Sequence, residues 1–459
     1  METLLGKLER AVWSWPLLLL LLGTGLKLTL QFRGRTLLDL PKAFKLLFRR
    51  SGAKGGVTPL GALCTSLSAA IGTGNIIGVA TALSLGGPGA LLWMELSALT
   101  GLALKYAEGY LAVRYRSRDR NGHWRGGPFA YMRLGLGPLG RPLACSFALF
   151  GAFAGLCGVG TFVQIGSVSA CLSLLTARLG LRLPSLVLAG GRGIPLPAAV
   201  LGLVFALLTG ATVFGGIQRV SRVSTLLVPL MGGAYLLCCL WILCRNAAAL
   251  PSAVQAVFRG AFRPGAGAGG LLGAAAAGVS RGVFSHEAGL GTGPIAAASA
   301  EGLSPEEQGL LSMTAVVFDT FLICTMTALV LLCTGTAGAG LGAAMEAFAV
   351  GLPLPEPVSM GLLTGMLTLF SLTTVLGWSC YGTACLEALT GEREWLKRVY
   401  LALYTLTVAI APWCSARAVW SAANLCNALM AVPNGIALLL LSPKIRFGTK
   451  IRIRKKSVS

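Results

Sequence analysis

Charge is scarce in this chain. Lys, Arg, Asp and Glu together make up 12% of 459 residues, against roughly 25% in a soluble domain. That shortage excludes an ordinary water-soluble globule. Histidine is nearly absent: His123 and His286 are the only two, far apart in sequence. No Ser/His/Asp order, zinc-ligand spacing or GxxxxGK[ST] phosphate loop occurs, so no convergent catalytic set points to an enzyme. The 13 cysteines contain no CxxC metal pair; most fall in apolar runs, where thiols behave as small apolar residues. The Asn-x-Ser/Thr sequon is missing too, so nothing suggests glycosylated loops. No resident cofactor is implied.

What fills the chain instead is apolar sequence. Hydrophobic residues reach 55% and mean hydropathy is +0.75. Eleven apolar runs are near membrane length, about 20 residues. They cover about 13–30, 57–83, 89–113, 145–175, 196–214, 224–244, 270–299, 309–334, 358–386, 395–413 and 418–441. The first follows Lys7 and Arg10 and holds the run Leu17–Leu22. No small-residue cleavage site follows it, so it reads as a span and not as a signal peptide. The predicted class is an all-α integral membrane protein.

The net charge of +22 is explained by where the charges lie. Seven basic residues, Arg33 to Lys54, separate spans one and two. Seven more, Arg114 to Arg141, separate spans three and four. Arg219, Arg222, Arg393, Lys397 and Arg398 fill later loops of the same parity, and Lys444 to Lys456 form a basic tail. The opposite side has only Lys7, Arg10, Arg178, Arg182, Arg192, Arg245, Arg259, Arg263 and Arg417. Cytoplasmic loops collect Lys and Arg. The N-terminus is therefore expected outside and the C-terminus in the cytoplasm of a multi-pass protein of the cell (inner) membrane. Anionic lipid headgroups account for the excess charge, and no nucleic acid is needed.

Two of the runs are broken by glycine. One reads Ala-Ala-Ile-Gly-Thr-Gly-Asn-Ile-Ile-Gly, Ala69 to Gly78; the other contains Phe-Ser-His-Glu-Ala-Gly-Leu-Gly-Thr-Gly, Phe284 to Gly293. A broken span exposes N–H and C=O groups that lipid cannot satisfy, so it survives only facing protein, water or solute. A matched pair in two halves is the sequence pointer to a transporter binding site. With span one set aside, spans two to six and seven to eleven form two groups of five, each opening on a broken helix. Five is odd, so the second group sits inverted. The expected organisation is 1–56 N-terminal helix and basic linker, 57–245 first repeat, 246–269 extracellular linker, 270–442 second repeat and 443–459 basic tail.

These residues resemble a known family. Gly72-Thr73-Gly74-Asn75, Gly86-Gly87-Pro88-Gly89-Ala90, Lys105-Tyr106-Ala107-Glu108 and Gly126-Gly127-Pro128 are similar to segments of the alanine/glycine:cation symporters, the sodium:alanine symporter family. Arg281 to Gly291 resembles its signature, with His286 where the family has Asn. Asp319-Thr320, Thr373-Thr374 and Gly377-Trp378 extend the likeness. Glu95 departs from it, standing where an aromatic or apolar residue is more usual. The resemblance implies a leucine-transporter-like fold with one additional N-terminal helix. It also implies sodium-driven uptake of alanine or glycine by a monomer in membrane lipid.

Each candidate residue has a plainer reading beside it. N–H groups of Thr73, Gly74 and Asn75 suit a substrate carboxylate at a half-helix N-terminus; close helix packing by small residues is the alternative. Carbonyls near Ser68 and Ile71, the Asn75 side chain, and the hydroxyls of Thr373 and Thr374 suit sodium. Such hydroxyls also bond back one turn. Gln164 either faces substrate or makes a helix–helix bond. Trp378 either caps the pocket or packs. Phe284, Ser285, His286 and Gly289 of the second break complete the expected substrate set. His286 either titrates near the site or replaces the Asn amide. Asp319 is expected to pair, with Arg281 as the available cation, and Glu95 to snorkel outward. Proton coupling and, less so, a channel stand as alternatives. A channel would normally show a pore-loop filter, and none is visible.

Overall fold

The structure is a computed structural model. It describes residues 2–448 except 14, 50–55, 121, 182–183, 188–192, 263–269, 337, 339 and 415. Arg50, Lys54, Arg182, Arg192, Arg263 and the tail beyond 448 lie outside the described residues. Helix α1 (Trp15–Gln31) buries Leu18, Leu21 and Leu28 on one face and exposes Leu19, Leu26 and Leu30 on the other. A helix apolar all round suits lipid on its outer side.

Thr58 opens α2 (Pro59–Ala70) by accepting the Gly61 N–H at 3.0 Å, with Pro59 in the first turn, a favourable helix start. Helix α3 (Gly74–Gly86) follows after a 52° bend. Next comes α4 (Ala90–Arg114), buried without interruption from Gly101 to Val113. Strands β1 (Ser117–Arg118) and β2 (Trp124–Arg125) pair antiparallel in the long loop behind it. Then come α5 (Pro128–Gly135), α6 (Gly140–Cys157), α7 (Phe162–Arg178), α8 (Leu196–Val213) and α9 (Gly216–Arg245). The expected single span 145–175 is interrupted between Cys157 and Phe162, where Gly158 leaves helical geometry at φ −130° and ψ −124°.

The expected linker is itself helical over α10 (Leu250–Phe262), which buries Ala253, Val257 and Ala261 at a spacing of four. The second half holds α11 (Gly270–His286), α12 (Gly293–Ser299), α13 (Pro305–Thr334), α14 (Gly340–Gly351), α15 (Glu356–Thr390), α16 (Glu394–Ile410) and α17 (Ala416–Leu441). Ser304 and Glu307 close a capping box at the start of α13, satisfying two orphan N–H groups. Midway, Val317–Cys324 widens into π turns.

Among the described residues six helical stretches are long and apolar enough to cross a membrane, and the bent pair α2–α3 makes a seventh. The chain is a helical, multi-pass membrane protein. The other expected spans are helical but fall short of that test for physical reasons. α1, α11 and α16 have 17 residues each. α4 carries Glu95, Lys105 and Glu108 inside its 25 residues. The broken helices lie in the middle: every residue of α12 is buried, with α12 packed on α2 and α4, and α2 packed on α9 and α15.

Candidate functional site

The first break builds one cluster. Helix α2 stops at Ala70, and the chain turns through Ile71, Gly72 and Thr73. Gly72 N–H donates to Asn75 Oδ1 at 2.9 Å. Thr73 donates to Gln164 Oε1 from its N–H at 3.3 Å and from its hydroxyl at 3.2 Å. The freed Ile71 carbonyl accepts the Thr374 hydroxyl at 3.2 Å, while Phe370 O lies 2.9 Å from the same oxygen. Gly72 is required by this crowding: a Cβ there would lie 2.8 Å from Thr374 Oγ1 and 3.1 Å from Gln164 Oε1. Gly74 is roomier, and Phe284 Cε1 would stand 3.6 Å from its Cβ.

The second cluster joins both breaks. Asn75 Nδ2 donates to Asp319 Oδ1 at 2.6 Å and to Ser285 Oγ at 3.0 Å. Ser285 and Thr320 hydroxyls each donate to Asp319 Oδ2 at 2.9 Å. Cys324 Sγ lies 3.2 Å from Ser285 Oγ. All of these residues are buried. The π turns of α13 supply Asp319, Thr320 and Cys324; α11 supplies Phe284 and Ser285; α3 supplies Asn75. Neutral donors from three elements thus meet the Asp319 carboxylate.

A third group holds the second break in shape. Glu287 sits at φ +52°, and its carboxylate accepts the Thr292 hydroxyl at 2.5 Å. Gly289 and Gly291, at φ +84° and +86°, point their N–H groups at Glu108 Oε1, 3.1 and 3.0 Å away. That conformation favours glycine. Asn434 Nδ2 donates to the same oxygen at 2.8 Å and to Gly289 O at 2.9 Å, and Tyr131 OH donates to Asn434 Oδ1.

The structure therefore gathers Ile71, Gly72, Thr73, Asn75, Gln164, Ser285 and Thr374, with Phe284 against Gly74. Other expected site residues stand apart. The His286 ring turns toward α4: Nδ1 accepts the Ala288 N–H at 3.0 Å, and Nε2 lies 3.4 Å from Ser97 Oγ. Gly289 belongs to the Glu108 group. Trp378 is fully buried, edge-to-face with Tyr381 at 5.8 Å and pressed on Gly160. The Thr373 hydroxyl is turned to Met231 Sδ, 3.3 Å away, and to Phe370 O at 2.9 Å. The Ser68 hydroxyl bonds back to Thr65 O at 2.8 Å. Glu95 does not reach outward; it accepts the Thr325 hydroxyl at 2.7 Å. Sequence reasoning placed neither Asp319 nor Glu108 in the site. The available signal was an ionisable residue inside a span.

Paired breaks meeting in one buried polar cluster suit a transporter. The profile of the sodium:alanine symporter family matches residues 1–454. The chain belongs to this family. It is a cation-coupled amino-acid transporter and not an enzyme. Similar proteins include the sodium/alanine symporter AgcS of Methanococcus maripaludis, 40% identical across 98% of this chain and 96% of that one. An uncharacterized transporter of Haemophilus influenzae is also 40% identical, over 98% and 95% of the two chains. The probable sodium/glutamine symporter GlnT of Bacillus subtilis is 32% identical, over 99% and 91%. Among solved structures, MhsT in complex with L-phenylalanine superposes with a TM-score of 0.51 at 15% identity, covering 85% of this chain and all of that one. That likeness supports a leucine-transporter-like fold and nothing finer.

Proposed function

We propose that this chain imports alanine and glycine by symport with sodium. The observation that carries the reading is Asn75, which bridges the first break to Ser285 of the second and to Asp319. A substrate carboxylate is expected on the N–H groups of Thr73, Gly74 and Asn75, beside Gln164. Phe284 walls this space at Gly74 and favours a small side chain. Ser285 lines it from the second break, while His286, Gly289 and Trp378, expected in the substrate set, face other neighbours. Sodium takes oxygen ligands, and unwound carbonyls provide them in such folds. The Ile71 carbonyl with the Thr374 hydroxyl, and the Asp319 carboxylate, are the oxygen groups that the geometry favours; Asn75 would offer its Oδ1 from the Gly72 side, Ser68 its backbone, and Thr373 lies one residue from Thr374.

Transport would proceed by rocking of the repeats around the broken helices. We assign eleven spans, five plus five inverted repeats and one N-terminal helix, with the N-terminus outside and the C-terminus cytoplasmic. The buried Asp319 carboxylate favours proton coupling as the second reading. Purified protein in proteoliposomes should accumulate labelled alanine under an inward sodium gradient and not under a potassium gradient. Accumulation driven by a pH gradient in sodium-free buffer would favour the proton reading. Leucine should compete more weakly than glycine; equal competition would overturn the small pocket.

A further inference from the structure

We infer that the β1–β2 hairpin is a latch closing the cytoplasmic exit, with Arg116 and Arg125 as its positioning residues. The inference rests on the transport reading and the orientation proposed above. A cavity of 370 Å³ opens between the hairpin, α5, α12 and α15. Ile295 and Ser299 of α12 and Ser379, Cys380, Thr383 and Glu387 of α15 wall it. Cys380 lies six residues beyond Thr374, about 9 Å along the helix. The cavity therefore lies beyond the candidate site, toward the end of α15 that faces the proposed cytoplasm.

The hairpin grips both walls. Arg116 Nη1 donates to Ala298 O at 3.1 Å and to Ala300 O, at the C-terminus of α12. A cation suits that helix end. Arg125 pairs with Asp119 at 2.8 Å on its own loop and with Glu387 on α15. Lys397 backs Glu387 from α16 at 3.5 Å. Trp124 lies between the two grips, with the Arg116 and Arg118 guanidinium groups 4.3 and 4.5 Å from its ring centroid. The loop also presses directly on α12: a Cβ on Gly126 would lie 2.9 Å from Ala298 Cβ, and one on Gly127, 2.9 Å from Ile295.

Helix α12 is the half-helix that follows the second break. Opening a path from the candidate site through this cavity to the proposed cytoplasm requires α12 and α15 to part. They cannot part while one short hairpin holds both. Opening must release either Arg116 from the α12 carbonyls or Arg125 from Glu387. Charge-assisted bonds of this kind are stronger than neutral ones, so the cost of either release favours the closed form.

Cys380 is a built-in reporter. The rate at which a membrane-impermeant maleimide modifies it can be followed peptide by peptide by mass spectrometry. In inside-out vesicles, Arg125→Ala and Arg116→Ala should speed modification of Cys380 roughly tenfold. Glu387→Gln should act in the same direction while keeping the side chain's shape. Arg125→Lys, a cation without the fork, should fall between Arg125→Ala and the natural protein. Unchanged Cys380 rates in Glu387→Gln and in the folded Arg variants would overturn the latch. Modification of Cys380 from the opposite vesicle face would overturn its place at a cytoplasmic exit. Sodium-driven alanine uptake by the natural protein is measured separately, so failure of the substrate reading is distinguishable.

Discussion

Gly72 shows how little freedom a broken span leaves at its centre. Its neighbours Thr374 and Gln164 come from two other helices, so a methyl group there has to move both. Gly72→Ala should insert normally and lose most alanine uptake, whereas Gly74→Ala, meeting only Phe284 at ordinary contact distance, should retain a substantial part. Equal activity of the two variants would remove Gly72 from the site. Asp319 is constrained differently. Both its oxygens accept hydrogen bonds, and an amide offers only one accepting oxygen. Asp319→Asn therefore leaves a buried donor facing a donor, a cost of about 1–3 kcal/mol, and sodium-dependent uptake should fall at least tenfold. An unaltered sodium half-saturation in Asp319→Asn would count against a role beside the ion. His286 carries a milder expectation. Its Nδ1 accepts an amide N–H, as an Asn oxygen would, so His286→Asn should preserve both uptake and its pH profile. A profile that flattens between about pH 5 and 8 would instead reveal a titrating ring.

At the level of elements, the second break is held by a carboxylate whose hydrogen bonds go to Gly289, Gly291 and Asn434. Glu108 receives N–H groups from Gly289 and Gly291 and the amide of Asn434, tying α4, the break and α17 together. Hydrogen bonds to a charged group contribute about 1.5–3 kcal/mol, and neutral ones about half that. Glu108→Gln should therefore lower the melting temperature in detergent and slow uptake without changing which amino acids compete. A protein with unaltered melting and kinetics would show the turn to be self-supporting. Both breaks were legible in the sequence because glycines, with Asn75 in the first and His286 and Glu287 in the second, interrupt runs otherwise fit for lipid. The π turns of Val317–Cys324 were not, since no glycine or proline marks the change from a regular helix. Those turns decide where Asp319 and Cys324 point. The same blindness affects Trp378 and His286: periodicity puts a residue on a helix, but the partner helix decides which cavity it sees. The interruption after Cys157 escaped notice because Gly155, Gly158 and Gly160 are ordinary company in membrane helices.

For the whole molecule, symport with sodium has an electrical consequence. Alanine is a net-neutral zwitterion near pH 7, and each sodium carries one charge inward. Moving one elementary charge across the membrane is worth about 2.3 kcal/mol per 100 mV, roughly a 50-fold change in the accumulation ratio at equilibrium. Proteoliposomes loaded with potassium and treated with valinomycin acquire an interior-negative potential. With sodium outside, that potential should raise both the rate and the final level of alanine uptake. Reversing the potassium gradient should depress them. The size of the response counts the net charges moved per alanine, which no arrangement of oxygen ligands can decide by itself. A potential without effect would mean an electroneutral cycle, with an outgoing proton or other cation balancing the sodium. Asp319, as the buried carboxylate where both breaks meet, would then be the first residue to test as the carrier of that proton.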